Sequence, residues 1–162
     1  MRSAQGVLNK IFTVEKLMQQ ITIWKMHNKK IAFTNGVFDI LHHGHISSLT
    51  EAASFADVLI VGLNSDDSVK RLKGPSRPVN DEKARSLLLA SLLQTDAVVI
   101  FQEDTPLELI KQLLPDVLVK GGDYTLDQIA GAKEVIASGG EVKIAGMIPG
   151  ISTTAIIKSM EK

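Results

Sequence analysis

The chain has 162 residues, 44 % hydrophobic and 22 % charged, with 18 basic residues balancing 18 acidic ones and no cysteine. That is the composition of an ordinary soluble domain long enough to bury a core, and it excludes disulfides, thiolate nucleophiles and cysteine-based zinc sites. The balanced charge speaks against a nucleic-acid or membrane surface built on charge, no apolar run reaches the length of a bilayer span, and the amino terminus lacks a signal-peptide core. A cytoplasmic enzyme or binding domain is expected, with neither nucleic acid nor membrane as partner.

In chain order, a helical pattern near 14–27 precedes the apolar run "IAFT" at 31–34. Strand-like runs follow at 58–63, 97–101, 117–120 and 141–146, several of them unbroken, as parallel strands covered on both faces require. Helical patterns near 45–55, 66–72, 81–94, 106–114, 127–138 and 153–161 alternate with them. Thr105 before Pro106 and Glu108 reads as a helix cap, Thr125 with Gln128 as a capping box, and Asn80 as a cap for the helix after it. Gly139 and Gly140 read as a helix stop. The pattern predicts an α/β fold: a Rossmann-like, doubly wound, mainly parallel five-stranded sheet with helices on both faces. Residues 1–29 are read as a helical extension and 30–162 as the α/β domain. Ligands in such a sheet bind beyond the carboxyl ends of the strands, where strand order reverses.

At that end of the first long strand stands "FTNGVFDILHHGH", 33–45, with three of the four histidines. Metal binding, acid/base chemistry and phosphate binding all use imidazoles. No HExxH and no cysteine support a metal site, and a surface loop with idle histidines is the bland alternative. The phosphate reading uses more of the stretch. Gly36 and Gly44 let backbone approach a ligand, and a helix beginning near His45 directs unpaired N–H groups toward the strand end. His42 and His45, three apart, could address the same oxygens. Asp39 would repel a phosphate, so it holds the loop or orients a histidine. Neither GxxxxGK[ST] nor GxGxxG is present, which argues against a P-loop or dinucleotide site.

"NGVFDILHHGH", followed late in the chain by "ISTT" at 151–154, resembles the cytidylyltransferase-type nucleotidyltransferases. "LNSDDSVKRLKGPSRPVN" (63–80), "DTPLELI" (104–110), "PDVLVKGGDY" (115–124) and "GISTTAIIK" (150–158) narrow the resemblance. Over about residues 30–160 the chain is similar to the family of D-glycero-β-D-manno-heptose 1-phosphate adenylyltransferases, in the form not fused behind a sugar kinase domain. Val37, and Lys83-Ala84 before Arg85, depart from the family's usual residues.

The resemblance implies that residues 30–162 are a nucleotidyltransferase domain, with transfer of AMP from ATP to a heptose 1-phosphate and release of pyrophosphate for lipopolysaccharide core synthesis. It also implies Mg2+ held mainly by the ATP phosphates, with no dedicated protein metal site, and a homo-oligomer. By the same resemblance His42, His45 and Lys73 are catalytic. Asn35, Gly36, Val37, Phe38, Gly44, Lys120, Gly121, Asp123, Ser152, Thr153 and Thr154 join the two histidines on the nucleotide. Asp39, Asn64, Asp66, Lys73, Arg77 and Arg85 fall to the sugar phosphate. Lys70 and Arg71 complete a cationic run that also reads as a solvated face. The rivals are a glycerol-3-phosphate cytidylyltransferase and a non-catalytic nucleotide-binding module.

Overall fold

The computed structural model describes residues 4–122, 124–146, 148 and 150–160. The apolar runs pair side by side because strands buried on both faces have no polar face to turn to water. Val58–Asn64 is buried along its whole length. The elements are α1 (Ala4–Leu8), β1 (Ile11–Phe12), α2 (Val14–Met26), β2 (Ile31–Gly36), α3 (His43–Ala53), β3 (Val58–Asn64), α4 (Asp66–Lys73) and α5 (Glu82–Ala90). They continue with β4 (Ala97–Phe101), α6 (Leu107–Leu113), β5 (Val117–Gly121), a 3-10 turn (Leu126–Gln128), α7 (Ala132–Ala137), β6 (Glu141–Ala145) and α8 (Thr153–Met160).

Among the described residues six strands form one sheet in the order β1-β4-β3-β2-β5-β6, every pairing parallel. The chain winds outward from β2 through β3 and β4, then returns to the other side of β2 for β5 and β6. Strand order therefore reverses between β2 and β5, and the carboxyl ends of those two strands flank the crevice where such folds bind ligands.

The expected five strands become six. Ile11 and Phe12 pair with Val98 and Val99 along the outer edge of β4, and two residues are too few to leave a periodic signal. The segment read as a helical extension is thereby built into the sheet. Leu17 and Ile21 of α2 are buried, 0 % and 4 % exposed, and Trp24 meets Phe12 edge-on at 6.5 Å. One core lies under α2, α6 and α7, centred on Phe33, Ile60, Val99 and Leu118. The other lies under α3 and α5, centred on Leu59, Val61, Val98 and Val119.

Three local expectations are corrected. Pro106, not Thr105, occupies the N-cap position of α6, which has no side-chain cap. Asp81 rather than Asn80 caps α5, its Oδ1 accepting from the Ala84 N–H at 2.7 Å. The capping box of Thr125 and Gln128 forms as expected, at the head of the 3-10 turn. The single helix expected over 127–138 is interrupted at Gly131, whose φ is +85° and where a Cβ would lie 2.7 Å from Ile110. A left-handed residue packed that closely cannot continue a helix.

Candidate active site

The site is assembled from the loop between β2 and α3. Phe38 takes a left-handed conformation, φ +47°, and its ring turns back over the strand end, so that a Cβ on Gly36 would lie 2.9 Å from it. His42 stands at the N-cap of α3 in extended backbone and makes no side-chain cap. Its carbonyl accepts from the N–H groups of His45 (2.9 Å) and Ile46 (3.2 Å), which fixes the spacing of the two histidines. Their rings stack at 3.8 Å between centroids and 20° between planes. His43 points away and is exposed.

The Nδ1 atoms of His42 and His45 are buried without a hydrogen-bond partner. Burial pushes the His45 imidazole down to about 4, the neighbouring His42 adds to the shift, and the Ile40 carbonyl opposes it weakly. Burial also lowers His42. Two stacked imidazoles cannot readily both carry charge in such surroundings, so the resting site presents them neutral at pH 7. A phosphate placed against them would restore affinity for a proton.

Two clefts, of ≈ 470 Å³ and ≈ 310 Å³, open at this end of the sheet and share Asn35, Gly36, Val37, Phe38, His45, Lys120 and Thr153. The larger also takes in Asn64, Lys73, Arg77 and Thr154, and the smaller His42, Gly44, Gly121 and Ser152. Lys120 is desolvated, which lowers its pKa, and its ammonium lies 5.5 Å from the centre of the Tyr124 ring. Neither Lys73 nor Lys120 has an ion-pair partner among the described residues. Of the cationic run, Lys70 pairs with Asp67 and Arg71 with Asp104, which leaves Lys73 and Arg77 on the cleft. At the start of α8 the Ser152 hydroxyl accepts from the Ala155 N–H at 3.1 Å, so it caps the helix while bordering the smaller cleft.

Several residues expected at the sugar phosphate are also held by other protein groups. Arg85 is fully buried. Its guanidinium donates to the carbonyls of Val37 (2.7 Å), Asn64 (2.9 Å) and Asn80 (3.0 Å) and to Asp66 Oδ1 (2.6 Å). Arg85 therefore ties together three segments behind the site, with Asp66 as its carboxylate partner. Asp39, 1 % exposed, pairs with Arg77 and accepts from the N–H groups of Val79 (2.7 Å) and Asn80 (3.1 Å). The buried Asn64 amide donates to Ser68 Oγ at 3.0 Å. Asp123 lies outside the described residues. Sequence reasoning missed Tyr124 and Gln128 on the larger cleft and Ser48 and Ile151 on the smaller. Tyr124, next to the glycine pair after β5, had a usable signal, whereas Ser48, one helical turn after Gly44, had none.

Among the described residues no group of three or more His, Asp or Glu side chains is arranged to hold a metal ion. The carboxylates of Asp39 and Asp104 on the larger cleft are already engaged by Arg77 and Arg71. Among the described residues no helix is long and apolar enough to cross a membrane.

A family model described as cytidylyltransferase-like matches residues 33–159. The bifunctional protein HldE of Acidiphilium cryptum is 50 % identical over 156 residues, covering 96 % of this chain and 32 % of the relative. That of Rhodopseudomonas palustris (strain BisB18) is 58 % identical over 134 residues, covering 83 % and 27 %. The chain thus spans less than a third of the length of these curated relatives. Among solved structures, the lipopolysaccharide core biosynthesis protein from Thermoplasma volcanium has a TM-score of 0.59 and 29 % identity, covering 74 % of this chain and 97 % of that one. Pantoate-beta-alanine ligase from Francisella tularensis, complexed with beta-gamma ATP and beta-alanine, has a TM-score of 0.58 at 16 % identity, covering 93 % and 76 %, and shares the fold.

Proposed function

The chain belongs to the cytidylyltransferase-like family, and from that premise we propose that it transfers AMP from ATP to D-glycero-β-D-manno-heptose 1-phosphate, yielding ADP-heptose and pyrophosphate for lipopolysaccharide core synthesis. The observation that carries the reading is the stacked pair His42 and His45 at the head of α3, bordering two joined clefts into which Lys73, Arg77 and Lys120 face. The motifs at 63–80 and 115–124 support the sugar, as does the kinship with the Thermoplasma protein. With ATP as donor, the reaction belongs in the cytoplasm.

A sugar phosphate is a monoester whose second pKa is about 6, so at pH 7 it is largely the dianion and needs no general base. One of its oxygens attacks the α-phosphorus of ATP. The bond from that phosphorus to the oxygen bridging to the β-phosphate breaks, and pyrophosphate leaves with the electron pair. The barrier is electrostatic: anions must meet, and charge grows on the oxygens in flight. His42 and His45 offer ring N–H donors there, and the head of α3 adds its partial positive charge. Lys73 and Arg77 hold the entering phosphate, while Lys120 borders both clefts. Thr153, Thr154 and the N–H groups at the head of α8 receive the outer phosphates. Magnesium bound with the nucleotide supplies further charge neutralisation.

The test is pyrophosphate release with magnesium, crossing ATP and CTP against β-heptose 1-phosphate and glycerol 3-phosphate. Release with ATP and the heptose phosphate alone is expected. Release confined to CTP or to the glycerol substrate would overturn the substrate assignment, and no release from any pair would favour a non-catalytic nucleotide-binding module.

A further inference from the structure

An imidazole that must face a reacting phosphate is usually aimed by a hydrogen bond from its other nitrogen to a carboxylate or a carbonyl. His45 Nδ1 has no well-formed partner and the Ile40 carbonyl acts on the ring only weakly, so packing must do most of the aiming. Two rings touch it. His42 lies on its face at 3.8 Å, and Phe38 meets it at 5.1 Å between centroids and 61° between planes. Phe38 is itself tightly determined. It is 8 % exposed, and it holds a left-handed φ of +47°, which a bulky residue keeps only where its surroundings enforce it. Its ring also occupies the space over Gly36, and the residue lines both clefts.

We propose that Phe38 is a positioning residue: its ring, wedged between Gly36 and His45, sets the orientation of the His45 imidazole where the two clefts meet and keeps water from its edge. Strain in the backbone at Phe38 is offset by the ring's burial, and the return is an imidazole held mainly by packing. A side chain fixed by packing can change protonation state without breaking a bond. That suits a donor whose partner arrives with the substrate and departs with the product. The charged and titratable groups around His45 are His42 at the head of α3, Asp39 in the same loop, Lys73 and Arg77 on the larger cleft, and Lys120 from β5. Asp39 is already paired with Arg77, which leaves the nearby His42, the Ile40 carbonyl and the aromatic cover as the local influences on His45.

The experiment titrates the histidine side chains of the substrate-free protein by NMR in wild type, Phe38→Ala and Phe38→Leu, and measures steady-state kinetics on the same samples. Exposing the ring edge should raise the His45 titration in Phe38→Ala by about one pH unit or more, with Phe38→Leu between the two. Misaiming the imidazole should lower kcat about tenfold to a hundredfold while leaving the KM for ATP within about twofold of wild type. A folded Phe38→Ala whose His45 titrates as in wild type would overturn the proposal, as would a shifted titration with unchanged kcat. Should Phe38→Ala not fold, Phe38→Leu carries both readouts. Only the kinetic readout rests on the transferase reading. If wild type released no pyrophosphate from any substrate pair, that reading alone would fall, and the titrations would still decide whether Phe38 holds His45.

Discussion

Residue by residue, the site works by controlling where charge is allowed. His45 is neutral when the site is empty because burial holds its titration near 4, below the ordinary value of about 6.5. The unfolded chain therefore takes up a proton that the folded chain refuses. His45's contribution to stability is complete above about pH 6.5 and is lost as pH falls toward 4. Denaturant midpoints measured across that window should decline on acidification, and His45→Gln should flatten the decline. Binding a phosphate reverses the preference, so ATP titrated calorimetrically at pH 5.5 in buffers of different ionisation enthalpy should show net proton uptake, absent in the same variant. In turnover, His45→Ala should reduce kcat about a hundredfold or more with little change in the KM for ATP, because a preorganised donor acts mainly in the transition state. Unchanged turnover would remove His45 from the site.

Among elements, two buried side chains connect the segments that carry the site. Asp39 gathers Arg77 and the backbone at 79–80, so it fixes the loop that ends beside the larger cleft. Asp39→Asn keeps the shape but removes the ion pair. The Val79 and Asn80 amides should then exchange faster, and the KM for the sugar phosphate should rise about tenfold, the equivalent of one charge-assisted hydrogen bond. Arg85 joins the loop after β2, the end of β3 and the head of α5. Arg85→Met should cost about 3–5 kcal/mol in urea unfolding, since it strands buried carbonyls and the Asp66 carboxylate. An effect below about 1 kcal/mol would show that these acceptors find water instead. In sequence, Arg85 and Arg77 look alike as cations near phosphate motifs, and only the fold separates the buried strut from the cation on the cleft.

At the scale of the whole molecule, β1 and α2 pack as members of the sheet and its core. Leu17 is fully buried between α2 and the sheet, so Leu17→Ala should destabilise by about 2–5 kcal/mol, the range for an emptied core position. The loss should appear as a lower midpoint of one cooperative transition. A separate early transition would mean that α2 folds on its own. The same view explains why ligand clefts occur where they do. β2 and β5 are neighbours in space but distant in the chain, and their parting at the switch point opens the crevice between Gly36 and Gly121.

The long strands, most helices and the histidine loop after β2 were legible because each is written locally. Unbroken apolar runs mark strands covered on both faces, and a glycine-bracketed histidine pair at a strand end marks an anion site. The two-residue β1 was not legible, having no period to detect, nor was the break at Gly131, which exists because Ile110 packs against it. By itself, then, the sequence determined the α/β class and the placement of the histidine-bearing loop at the carboxyl end of β2. Tertiary structure alone decided that His42 and His45 stack, that Phe38 meets His45 edge-on, that Asp39 pairs with Arg77 and the loop backbone, and that Arg85 is buried among three carbonyls and Asp66. Those outcomes depend on which distant segments share a dry interior, where an unpaired charge or carbonyl is costly, and no local pattern records that.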